Sequence, residues 1–272
     1  SAVVAALGAL GGIARGSITL DRRDAAVSAA SDRAGDAAVG ASADAVVWEE
    51  VEDRTAAMAE LSIAFLTYMM VAAVIAVVGI LTDSVVLIVG AMVINPKFKP
   101  LTTLCVGLIQ RKPALTRQAL ISLTIGFAAA FAAGLAATWA FRATGVAPAD
   151  LTSSMHPATL FISRPDSYAV VIAAAAGVAG MLSLTTASSG TLIGVLISVT
   201  TIPAAANAAV AAAYGDSGEL GGSAAQLGIN LAVMVLAGLV TLRVQRAAFT
   251  RRLGGVLERV SRLGAGRAHR RR

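Results

Sequence analysis

Six apolar stretches, each near the length that crosses a bilayer, decide what this chain can become. A span needs roughly 20 residues to cross about 30 Å of hydrocarbon. The stretches lie at Leu61–Leu81, Ser84–Gln110, Leu115–Phe141, Tyr168–Thr186, Gly190–Tyr214 and Gly222–Leu242. Of the 272 residues 57% are hydrophobic and 14% charged, whereas a soluble domain carries roughly 25% charged residues. Too few charges remain to clothe a water-facing surface, so the expected fold is an all-α polytopic membrane protein. With Cys105 as the single cysteine, an intrachain disulfide framework and a cysteine-built metal centre are both excluded.

Charge asymmetry sets the expected orientation. Arg111, Lys112 and Arg117 fall between the second and third stretches, and ten Arg lie between Arg243 and the end. Basic loops stay on the cytoplasmic side, which places both termini in the cytoplasm and demands an even number of spans. The long Arg142–Ser167 loop, with Pro148, Pro157 and Pro165, and the turn carrying Asp216 and Glu219 are then external. Residues 1–60 differ, with 5 Arg against 10 acids. Ser1–Ala14 is apolar but lacks a basic n-region, so it is no signal peptide. Asp21–Ala45 has linker composition. The segment 1–60 is expected to be a partial, cytosolic, α+β module and linker, the remainder of a longer one. The transmembrane domain is expected over 61–242 and a basic amphipathic cytoplasmic tail over 243–272.

The second and fifth stretches share a pattern. In one, Gly90, Ala91 and Met92 run into Asn95, Pro96, Lys97, Phe98, Lys99 and Pro100; in the other, Gly194 leads through Thr200 and Thr201 to Pro203, with Asn207 one turn on. Proline deletes a backbone donor and clashes with the preceding turn, so the freed carbonyls need protein, water or an ion as partner. Three spans on each side, an odd number, would make the second half enter the membrane from the opposite face. That predicts two inverted three-helix repeats, 61–141 and 168–242, whose proline-broken second helices meet near the midplane and bind a solute there. The plainer reading is that the prolines only kink packed helices.

The run GILTDSVVLIVGAMVINPKFKPLTTLCVGLIQRKP, with the later TLIGVLISVTTIPAAANAAVAAAYGD, resembles the prokaryotic membrane family known as domain of unknown function 389. The similarity covers about Leu61–Leu242, and Gly90, Ala91, Met92, Pro96 and Pro100 are its most specific part. The resemblance implies a ferredoxin-like character for residues 1–60 and localisation in a prokaryotic inner membrane, and it implies no activity. Lys97 and Lys99 depart from the small or apolar residues that family members place between the two prolines.

Charged residues at mid-membrane cost roughly 2.5–3.5 kcal/mol each on insertion scales, so Lys97 and Lys99 are functional candidates, unless the break lies near an interface and both snorkel to water. Pro100 would open a half-helix whose free N–H groups carry partial positive charge, a ready anion site. The expected solute site therefore comprises Asn95, Pro96, Lys97, Lys99, Pro100, Thr200, Thr201, Pro203 and Asn207. Ser183, Thr185, Thr186, Ser188, Ser189 and Thr191 are better explained as helix glue than as a path. Ser188 and Ser189 lack a nearby base, because His156 and His269 lie in a loop and in the tail, so no enzyme chemistry and no cofactor are expected.

In the tail, Phe249, Leu253, Val256, Leu257, Val260 and Leu263 form one helical stripe with Arg mostly elsewhere. An interfacial helix on anionic lipid and a homo-oligomer contact both fit; a tail tethered to the leaflet meets lipid before nucleic acid. The expected function is a transporter or channel for a small anionic solute, with a non-transporting scaffold or sensor as the alternative from another class.

Overall fold

The computed structural model describes residues 61–96, 98–148, 162, 166–186 and 201–269, with side chains described as far as 184 in the fifth helix and 247 in the last. Expectations for 1–60, for the 149–161 loop and for 187–200 fall outside the described residues. So does the apolar stripe of the tail, whose backbone is helical to His269.

Seven helices and no strands make up the described residues: α1 (Ile63–Leu81), α2 (Val85–Ile94), α3 (Phe98–Ile109), α4 (Pro113–Ala143), α5 (Ser167–Thr186), α6 (Thr201–Tyr214) and α7 (Ser217–His269). Each falls on one of the expected apolar stretches. Four are long and apolar enough to cross a membrane: α1, α4, residues Ser167–Leu184 of α5, and Ser217–Ala247 of α7. The pair α2–α3, bent by 52° at its break, makes a fifth if taken as one span. Thr55–Leu242 gathers into one compact unit, which holds all the contacts discussed below, while Arg243 onward belongs to another.

Helix ends follow local chemistry. Ser62 caps α1 by accepting the Phe65 N–H on its Oγ at 3.0 Å. Asp166 does the same for α5 through the Ala169 N–H at 2.7 Å, and Asp216 for α7 through the Glu219 N–H at 2.9 Å. These caps satisfy donors that a helix start leaves open. Asp216 also explains why α7 begins at Ser217, ahead of the apolar stretch that starts at Gly222, and so takes Glu219 into a helix. Four helices close with one hydrogen-bond pattern, in which a residue with positive φ follows the last turn. Asp83 (φ 50°), Arg111 (56°), Gly145 (71°) and Gly215 (78°) occupy that position. The residue after each donates five positions back, as in Lys112 to Gly107 and Asp216 to Ala211, both 2.9 Å.

Alanines are the most frequent residues of the core. α1 packs against α2, α4 and α6; α6 also packs against α4 and α2; α3 packs against α4 and α5. Ala72, Ala73, Ala76 and Val77 of α1 share one buried cluster with Ile88, Ala91 and Met92 of α2 and with Ile202, Ala204, Ala205, Ala206 and Val210 of α6. Without a hydrophobic drive between helices in lipid, close approach through small side chains supplies the packing energy. Large apolar side chains such as Ile63, Val86, Leu236 and Val240 remain exposed on the outside, as surfaces that meet lipid tails do.

Helix direction is fixed by glycine contacts. A Cβ on Gly126 of α4 would lie 2.8 Å from Phe65 and 3.4 Å from Met69, and one on Gly134 would lie 3.4 Å from Val77. α1 and α4 therefore run parallel. α5 and α7 do likewise, since Gly177 meets Met234 and Ala237 while Met181 meets Gly238. The starts of α1 and α5, of α3 and α6, and of α4 and α7 are 104, 103 and 104 residues apart.

Candidate functional site

Both prolines of the shared pattern open a helix. Pro100 is the third residue of α3 and Pro203 the third of α6, in a first turn whose N–H groups have no intrahelical partner for proline to remove. α2 ends with extended backbone at Asn95, and the Lys99 N–H bonds the Pro96 carbonyl at 3.2 Å as α3 begins. The break expected between Asn95 and Pro100 is thus a turn between two half-helices. Its threonines face inward: Thr102 and Thr103 are buried and return their hydroxyls to the Lys99 carbonyl at 2.7 and 3.2 Å.

The expected site residues divide by environment. Asn95, Pro100, Thr201, Pro203 and Asn207 are buried, Pro96 is half-buried, and Lys99 is exposed. Lys97 and Thr200 lie outside the described residues. All of α6 is buried except Ala212 and Tyr214, the environment of a helix wrapped by protein on every side. α2 and α6 touch, which brings the first broken segment against the second. The hydrogen bonds of Asn207 run elsewhere, to α7.

Thr201 stands out chemically. The other buried threonines, Thr102, Thr103, Thr138 and Thr241, all bond a carbonyl three or four residues back. The Thr201 hydroxyl is fully buried in the first turn of α6 and has no hydrogen-bond partner among the described residues. Leaving such a group unmade costs about 1–3 kcal/mol.

A polar face on α7 is absent from the expected set. Glu219, Ser223, Gln226 and Asn230 follow at intervals of four, three and four, one side of a helix. Ser223, Gln226 and Asn230 are at most 1% exposed, and Glu219 is half-buried. The Asn207 amide nitrogen donates to the Ser223 hydroxyl at 2.8 Å and to a Glu219 carboxylate oxygen at 3.3 Å. Ser223, Gln226 and Asn230 stood in the sequence among the polar residues of the Gly222–Leu242 run, and Glu219 joins their face only because α7 begins at Ser217.

At the far end of α6, Arg142 of α4 donates to the Ala213 carbonyl. Its guanidinium lies 4.4 Å from the centroid of the Tyr214 ring, and the Tyr214 hydroxyl donates to the Pro148 carbonyl at 2.7 Å. One cation thus serves the open carbonyl end of a half-helix and an aromatic face together.

Apolar helices of spanning length, a helix broken mid-segment and polar residues buried between helices define an all-helical membrane protein. A family model described as Domain of unknown function (DUF389) matches residues 92–236, from the last turn of α2 into α7, and the chain belongs to that family. Neither a curated protein nor a solved structure matches the chain.

Proposed function

We propose that the chain is a transporter or channel for a small anionic solute, built from two inverted three-span repeats, with the solute held where the two broken helices meet. The observation that carries this reading is the pair of half-helices α3 and α6. Each opens with a proline in its first turn, and each is buried over most of its length inside an apolar protein. Helix starts of that kind favour negative charge.

Three relations support the repeat. Corresponding helices start 103 or 104 residues apart. The first and third helix of each half are parallel, as three-span units require. The caps Ser62 and Asp166 also differ by 104 and do the same work. In such repeats substrate sites form at the paired discontinuous helices. With both termini in the cytoplasm, α3 would run from the midplane inward and α6 from the midplane outward. Asn95, Pro96, Lys97, Lys99, Pro100, Thr200, Thr201, Pro203 and Asn207 then surround the meeting point, in the inner membrane of a prokaryotic cell.

Flux into proteoliposomes tests the reading. The purified chain should carry at least one small anion well above protein-free vesicles, and cations of the same size much less. If folded protein moves no anion, cation or neutral solute, the transport reading falls and a scaffold or sensor role takes its place.

A further inference from the structure

The charges of the membrane unit are sorted between its two ends. α1 and α4 run parallel, and Arg142 in the last turn of α4 bonds the last turn of α6, so the ends of these three helices share one side. Asp83 follows α1, while Asp216 and Glu219 follow α6. Asp166 joins them as the cap of α5, which runs parallel to α7. Every described acid of the unit thus stands on that side. The opposite side carries the α3–α4 turn, where Arg111, Lys112 and Arg117 are all exposed and residues 85–143 contain no acid.

The α6–α7 turn supplies an internal comparison. Arg111 and Gly215 both have positive φ, and Lys112 and Asp216 each donate five residues back at 2.9 Å, so the two turns follow one backbone course. In the second, the Asp216 carboxylate accepts the Glu219 N–H and closes the start of α7. In the first, Lys112 has no acceptor to offer and no side chain caps α4. From Arg117 the exposed Ile121 and Ile125 continue at intervals of four with Leu120 beside them, an apolar stripe along one side of α4. The matching places on α7 hold Gly221, Ala224 and Ala225, with neither the cation nor the bulk.

We propose that the α3–α4 turn binds an anionic phospholipid, with the phosphate held by Arg111, Lys112 and Arg117 and an acyl chain lying along Leu120, Ile121 and Ile125. The inference is independent of what the chain carries. A phosphodiester brings the negative charge that this end lacks, in a shape suited to guanidinium groups, and it can also occupy the uncapped helix start as the Asp216 carboxylate does in α7. The stripe decides the source of that phosphate. Free phosphate has no use for apolar surface, whereas a phospholipid presents charge and then chain in the order in which α4 presents Arg117, Ile121 and Ile125. The cations also rise from a firm base: a Cβ on Gly107 would lie 2.8 Å from the Thr116 hydroxyl, and the Thr116 N–H bonds the Lys112 carbonyl at 3.2 Å.

The test uses the full chain in detergent, with phosphatidylglycerol as probe and the unfolding temperature as readout. Phosphatidylglycerol should raise that temperature at concentrations where phosphatidylcholine of the same acyl chains and inorganic phosphate do little. Arg111→Gln combined with Arg117→Gln should raise the phosphatidylglycerol concentration for half-maximal stabilisation by about ten- to thirtyfold. The basic tail is present in parent and variant and contributes equally to both. Lys112→Asp copies the α7 cap: it should raise the lipid-free unfolding temperature and remove most of the phosphatidylglycerol response, a pairing that damage to the fold would not produce. Val240→Ala, on the lipid-facing side of α7, should leave every value unchanged. Stabilisation by phosphatidylcholine or by inorganic phosphate equal to that by phosphatidylglycerol would overturn the proposal. So would the parent's response persisting in the double variant or in Lys112→Asp.

Discussion

Gly134 and Gly238, 104 residues apart on α4 and α7, meet the same surroundings with the two halves of the chain exchanged. A Cβ on Gly134 would lie 3.1 Å from Ala209 and 3.4 Å from Val77; one on Gly238 would lie 3.1 Å from both Cys105 and Met181. Val77 and Met181 are themselves 104 apart, as are Cys105 and Ala209. Each glycine therefore seats the first helix of its own half and the half-helix of the other. A twofold relation in the membrane plane, of the kind proposed above, would produce this exchange of half-helices.

Glycine packing yields a first prediction that separates distance from consequence. A Cβ on Gly180 would lie 2.1 Å from the tip of the Phe98 ring, and one on Gly177 would lie 2.5 Å from the Met234 carbonyl oxygen. The ring can swing aside, whereas the backbone of α7 cannot. Gly177→Ala should thus destabilise more than Gly180→Ala, by up to about 3 kcal/mol in total. In addition, Phe98→Leu should rescue Gly180→Ala but not Gly177→Ala. Equal losses for the two glycine variants in denaturant titrations of both the parent and the Phe98→Leu backgrounds would contradict this account.

Backbone conformation supplies the second. Arg111 holds φ at 56° in the turn between α3 and α4, and Gly215 holds the same place, at 78°, between α6 and α7. A non-glycine residue in the left-handed region costs roughly 1–2 kcal/mol. Arg111→Gly should raise stability by about 1 kcal/mol while Gly215→Arg lowers it by a similar amount or more. An unfolding titration in detergent reads both.

Third, Arg142 should matter more to the half-helix than its exposed position suggests. Its guanidinium bonds the Ala213 carbonyl and faces the Tyr214 ring. Arg142→Gln should cost about 1 kcal/mol after discounting for solvent screening. Hydrogen exchange should then speed up over Ala211–Tyr214 ahead of the rest of α6. Exchange that rises evenly over the whole chain would argue against a local clamp.

How much of this was legible beforehand depends on the kind of interaction. The helices were legible because apolar runs of spanning length have a single outcome in lipid, and the break at Asn95–Pro100 because proline cannot continue a helix interior. The inclusion of Glu219 in the polar face of α7 was not, because the apolar run starts only at Gly222 and the cap at Asp216 begins the helix five residues earlier. The burial of Asn95 and exposure of Lys99, four residues apart across the turn, depend on the 52° bend. Side-chain periodicity carries no information about a bend. The seats of Gly134 and Gly238 are tertiary, and a single glycine in an apolar run is equally compatible with lipid contact.

Orientation makes a fourth prediction. The basic residues Arg111, Lys112, Arg117 and those after Arg243 should hold both termini in the cytoplasm. An impermeant thiol reagent added to intact cells should modify Ala158→Cys and spare Ala265→Cys, with the buried Cys105 silent in both. The reverse pattern would overturn the orientation, and labelling of both positions would overturn the odd number of crossings between them.

The last prediction concerns Lys97 and Lys99 beside the opening of α3. Replacing both by Gln keeps much of the length and the hydrogen-bonding capacity and removes two positive charges. A charge-assisted hydrogen bond contributes about 1.5–3 kcal/mol against roughly 1 for a neutral one. Loss of that difference at one contact should weaken anion affinity several-fold to about thirtyfold, at tenfold per 1.4 kcal/mol. Folding should survive, because amides are cheaper than ammonium groups to hold in a membrane. Lysines that only reach past the break to water contribute nothing to binding, and a folded Lys97→Gln, Lys99→Gln double variant would then bind and carry anions as the parent does. That result would confine recognition to the half-helix starts, leaving the repeat untouched.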